Sequence, residues 1–166
     1  MGKVQEYFAS GCPGAVSRSA DEIVISVRNA GDGDVPFGAP VFLTDDGAVP
    51  FSTDDPQDFS AFLGFAVRVA DKTPDEYPRG QSGDPQAGVW HPGDVMEVLV
   101  RGGIVVKLTT AADLGSKVYL RKSDGRLTPA AGTSGSTVLL ENVCVRGPLD
   151  TAAGTAEVIV NRRNLI

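Results

Sequence analysis

Glycine and proline break this chain so often that short strands and tight turns are nearly the only elements it can build. The 166 residues include 20 Gly and 11 Pro, and both residue types are excluded from helix interiors. "VPFGAPVFLTDDGAVPF", Val35 to Phe51, is typical. It is apolar enough for a core, yet Pro, Gly or Asp-Gly interrupts it every few residues. Such a pattern predicts an all-β domain, a jelly-roll-like sandwich or a barrel.

The apolar periodicity agrees. In "EIVISVRN" (22–29) Ile23, Ile25 and Val27 alternate with Val24, Ser26 and Arg28, as a strand with two unlike faces requires. "PVFLT" and the segment after Asp46-Gly47 read as a hairpin, since Asp-Gly accepts the positive φ of a two-residue turn. "FLGFAVRVADK" (62–72) reads as a central strand in which Gly64 marks a bulge or a close backbone approach. In "HPGDVMEVLVRGGIVVKLTT" (91–110) two alternating segments flank Arg101-Gly102-Gly103, which predicts a hairpin. Turns are expected at Gly38, Gly47, Gly93, Gly102, Gly103, Gly115 and Gly125. "DDPQDF" has room for one helical turn, and 73–88 is a polar loop rich in Pro and Gly. "TVLLENVCVRG" and "AEVIVNR" bring the total to about ten strands.

Residues 1–22 show no sustained period and are broken by "GCPG". They read as an extended N-terminal arm, with 23–166 as a single β domain. Tyr7, Phe8 and Val16 are the apolar groups with which the arm would hold a partner.

Charge and cysteine content narrow the function. A net charge of -6 provides no footprint for nucleic acid, because phosphate binding needs clustered Lys and Arg. No run approaches the roughly 20 apolar residues of a membrane span, and the N-terminus lacks a signal peptide's apolar stretch. Cys12 and Cys144 are too sparse for a disulfide scaffold or a metal site and read as reduced thiols of a cytoplasmically made protein.

Candidates for chemistry are few. His91, the one histidine, stands in "WHPGD" with no nucleophile motif beside it. The groups "DGD" (32–34), "DD" (45–46) and "DDPQD" (54–58) do not match a calcium loop and read as turn and cap residues. Trp90, Tyr77 and Tyr119 offer the residue types of a sugar-stacking platform, although Tyr119 is better placed in a core. No catalytic, cofactor or metal site is expected.

The order of segments carries a resemblance. "VPFGAPVF", "FLGFAVR", "HPGDVMEVLVRGGIVVKL", "LGSKVYLRKSDGRLT" and "AEVIVN" follow one another from about Val35 to Val160. This succession resembles the structural cement, or capsid decoration, proteins of tailed bacteriophages. The resemblance implies a non-enzymatic virion protein on the outer surface of the capsid, made in the host bacterial cytoplasm. Its partners would be the major capsid protein and its own copies, as a dimer or trimer, with the arm docked on capsid or on a neighbouring copy. The alternatives are a carbohydrate- or receptor-binding β domain of a tail or surface fibre, and a small β-barrel hydrolase using His91.

Overall fold

A computed structural model describes residues 11–53, 59–69, 88–147 and 154–164, with the backbone alone at 18–20. The strands are β1 (Val16–Arg28), β2 (Val35–Pro36), β3 (Pro40–Thr44), β4 (Gly47–Pro50), β5 (Phe62–Ala66), β6 (Val89–Trp90) and β7 (Val95–Lys107). β8 (Lys117–Arg121), β9 (Leu127–Thr128), β10 (Thr137–Val145) and β11 (Thr155–Val160) complete the set. One 3-10 turn, Phe59–Ala61, precedes β5. The protein is all-β and sandwich-like.

The 13-residue strand β7 organises everything else. Along one edge it pairs with β1. Along the other it pairs first with β5 and then, from Gly102 to Lys107, with β11. The main sheet therefore runs β4-β3-β5-β7-β11-β10-β8-β9, with β1 branching from β7. Both ends of this path curl back. A parallel bridge joins Asn29, just past β1, to Ala48 of β4, and another joins Leu108, just past β7, to Leu127 of β9. Two circuits of strands thus share β7 as a common wall.

Each circuit surrounds a core. Val41, Ala48, Leu63, Ala66, Met96, Val98 and Val100 belong to the first, with Val35, Phe37 and Trp90 beneath the small β2–β6 sheet. Ile104, Val106, Leu120, Leu140, Val143 and Val158 belong to the second. Phe42, Phe62, Phe65 and Leu99 join this second core from the first circuit. Phe62 meets Phe65 edge-on at 5.4 Å and Phe42 at 6.0 Å. β5 is buried along its whole length because it faces both cores. Burying each such aromatic contributes about 1.5–3 kcal/mol, so this junction is costly to disturb.

In place of the expected hairpin at 91–110 there is one strand, Val95–Lys107. Before the glycines, even-numbered Met96, Val98 and Val100 face the first core and Leu99 the second. After them, even-numbered Ile104, Val106 and Leu108 face the second core. Gly102, at φ 118°, shifts the pleat without reversing the chain, and Gly103 has no positive φ. The facing strand accommodates the shift. Arg18 pairs with Gly103 and Ile23 with Arg101, so residues 19–22 have only Gly102 opposite them.

Two other expectations change in detail. Thr44 pairs with Gly47, so the β3–β4 turn is centred on Asp45-Asp46, one residue earlier than Asp46-Gly47. Neither aspartate has a positive φ, and Gly47 absorbs the unusual backbone instead, at φ 148°. The end of the expected arm is also tied to the domain. The Gly14 amide donates to Val105 O (2.8 Å), the Arg68 amide to Gly14 O (2.8 Å), and the Val105 amide to Ala15 O (3.0 Å). Val16 then packs against the second core. Gly14, Ala15 and Val16 are therefore docked on the β domain.

Candidate functional site

His91 is placed by the turn that ends β6. Asp94 closes this turn twice. Its carboxylate accepts the His91 amide at 2.9 Å, and its own amide donates to His91 O at 3.0 Å. Pro92 and Gly93, the latter at φ 85°, form the corner. Buried Asn29 anchors the region from behind. Its side-chain amide donates to Trp90 O (3.2 Å) and Gly33 O (3.1 Å), while its oxygen accepts the Gly31 amide (3.1 Å). Nothing in the sequence singles out Asn29; it reads as one more polar residue at a strand end. Yet it holds the 30–34 loop against the 91–94 turn, which is why Asp34 reaches His91.

The His91 Nδ1 lies 2.8 Å from Asp34 Oδ1, with both side chains more than half exposed. Nucleophilic catalysis needs a hydroxyl or thiol on the other side of the imidazole. Among the described residues the ring is hydrogen-bonded to Asp34 alone. An exposed pair of this kind fixes a loop and contributes little to stability.

The other sequence-derived candidates are dispersed. Trp90 is 5% exposed, donates its indole N–H to Val67 O at 3.0 Å, and meets Phe37 edge-on at 6.2 Å. It is a core residue, closed to a stacking sugar. Tyr119 is half-buried in β8, while Tyr77 lies outside the described residues, as do Tyr7, Phe8 and Asp54 to Asp58. Asp32 and Asp34 border a shallow groove with Pro36, Pro40, Phe51 and Asp124. Among the described residues no group of three His, Cys, Asp or Glu side chains is arranged to hold a metal ion. Cys12 and Cys144 are free and half-buried. Gly38, Gly47, Gly93, Gly102, Gly115 and Gly125 have positive φ.

Electrostatics concentrate at one turn. Arg121 grips Asp124 through two hydrogen bonds, one of them 2.8 Å from Nε, and the Arg126 amide adds a third at 3.2 Å. These contacts lower the Asp124 carboxyl to about 2, the Arg121 hydrogen bond contributing most. The same bond raises Arg121 above its ordinary value. The result is a rigid β8–β9 turn beside the groove.

The arrangement defines a class first: a sandwich-like β domain of two strand circuits with a shared spine and an acidic, turn-rich surface. The particular family follows from comparison with known proteins. The model of the structural cement protein family (E217 gp24/Pam3 gp6) matches residues 2–161, and the chain belongs to that family. The fold is shared with a solved chain described as "The capsid of Myoviridae Phage XM1", at a TM-score of 0.70 and 17% identity. The match covers 97% of this chain and 96% of that one. No curated protein sequence matches.

Proposed function

We propose that this chain is a non-enzymatic cement protein, bound to the outside of a tailed-phage head, that stabilises contacts between major capsid subunits. One observation carries the reading: the cement-family match spans residues 2–161, nearly the whole chain. The protein needs no cofactor, is made in the host cytoplasm, and acts as a small homo-oligomer. Its mechanism is linkage. A ligand that binds the assembled shell and not its separated subunits stabilises the shell by RT ln(1 + [L]/Kd) per site. Repetition of the site around the shell multiplies the effect.

The test is co-sedimentation of the purified protein with expanded empty heads, followed by thermal disruption of the loaded and bare shells. Saturable binding and a higher disruption temperature are expected. Failure to bind, or binding to tails in place of heads, would overturn the reading.

A further inference from the structure

Three strands stand at the margins of the main sheet, and they are treated differently. β4 has four residues, ends in Pro50 and meets Asn29. β9 has two residues and meets Leu108. Both follow the usual ways of blunting an edge, through shortness, proline or coverage. β1 does not. From Val24 to Arg28 it pairs residue by residue with β7 on one side, and among the described residues no strand pairs with the other side of Val24 to Val27. "IVISV" contains no Pro, Gly or Lys. Ile23 and Val24 are 39% and 37% exposed.

The edge is bracketed by acid. Asp21 and Glu22, both exposed, stand at one end. At the other, the β3–β4 turn packs on Arg28, where a Cβ on Gly47 would lie 2.5 Å from the Arg28 carbonyl oxygen. This contact puts exposed Asp45 and Asp46 at that end. Among the described side chains, four carboxylates therefore flank the edge against two local cations, Arg28 and the Arg101 that reaches Asp21 at 2.9 Å.

From this we infer that β1 is the strand to which the capsid subunit docks. The occupant is an extended segment of that subunit with alternating apolar residues and Lys or Arg at its ends. Main-chain hydrogen bonds to the edge of Val24 to Val27, unpaired among the described residues, would supply affinity, and contacts to Ile23 and Val24 and the flanking charges would supply selectivity. A second copy of this chain fits less well, because it would bring its own Asp21 and Glu22 to an edge already acidic. The inference rests on the cement reading and names the surface that reading uses.

The test compares binding to expanded empty heads for wild type, Ile23→Lys/Val24→Lys and the charge-matched control Thr110→Lys/Leu114→Lys. All four positions are exposed, so unchanged melts are expected. Glu22→Lys is a further variant that leaves the apolar groups intact. The edge variant should weaken binding by about tenfold or more, Glu22→Lys should weaken it and flatten its salt dependence, and the control should bind as wild type does. Wild-type binding by the edge variant, or equal weakening in the control, would overturn the docking edge while leaving the cement reading intact. A wild-type protein that does not bind heads at all would instead remove the cement reading itself. A free protein whose dimer is broken by the edge variant would show that a second copy occupies β1, which also overturns the proposal.

Discussion

A side chain at Gly64 would place its Cβ 2.1 Å from the carbonyl oxygen of Leu99, far inside any permitted contact. The two residues lie where β5 crosses β7, with Phe65 paired to Leu99 and both buried in the second core. Backbone, unlike the end of a flexible side chain, has nowhere to go. Gly64→Ala must open the β5–β7 pair or displace Phe65. Its cost should be about 3 kcal/mol or more, at or above the upper end of ordinary overpacking. Gly33→Ala is the control, because a Cβ there meets nothing within 4 Å and its φ is not positive. Denaturant melts of the two variants check the contrast, and equal stabilities would mean the strands are not this close.

Gly102 is a second position where backbone geometry decides the outcome, for a different reason. It combines φ 118° with a Cβ position 3.1 Å from the Glu22 Cα, so it carries both the pleat shift of β7 and the bulge of β1. Gly102→Val should cost on the order of 1–3 kcal/mol from backbone strain alone. Because Gly103 lacks a positive φ, Gly103→Val escapes that particular penalty. Thermal melts in which Gly103→Val is the more damaging of the two would contradict the assignment.

The same glycines show how much of the fold is legible in the sequence. Alternation along "DVMEVLV" and "IVVKLTT" correctly marks strands, but a change of apolar parity at a Gly pair looks the same whether the chain reverses or only shifts its pleat. Only the partners across the sheet distinguish the two, and β11 is about fifty residues away. Gly64 is readable because glycine weakens a strand interior and is kept there where another backbone comes close. The β3–β4 turn falls one residue before the expected place because Asp-Gly suits the centre of one turn type and the closing positions of another. Residues 11–17 look like an arm because their docking relies on main-chain hydrogen bonds from Gly14 and Ala15, which leave no periodicity. The His91–Asp34 pair is invisible in the sequence for a related reason: buried Asn29 creates it from a distance.

Asp124 makes stability respond to acid. Its carboxyl is lowered from 3.8 to about 2 by Arg121 and the Arg126 amide. A group with a depressed folded-state value contributes stability above its unfolded value and loses it as pH falls through the folded one. The contribution of the turn should therefore be complete above about pH 4 and decline toward pH 2. Asp124→Asn should melt below wild type at neutral pH, and the gap should close between about pH 4 and pH 2. Melting temperatures of both proteins across that range provide the check. A gap that stays constant would mean the carboxylate's charge is not what matters.

Trp90 supplies the last prediction, because it is the only tryptophan and so reports on its own surroundings. The ring is buried against Phe37, and its N–H is committed to Val67 O. Trp90→Phe removes that donor and part of the packing. It should cost about 1–3 kcal/mol from the unsatisfied carbonyl, more if the space left by the indole does not close. In the wild type, emission should be blue-shifted in the native state, move to the red on unfolding, and stay unchanged on addition of sugars. The variant's affinity for heads should equal that of wild type at temperatures where both are folded, since the Trp90 side chain is buried while Ile23 and Val24 are exposed. Quenching by a saccharide at native temperature would mean the indole is accessible, which would revive the sugar-binding reading at the expense of this core.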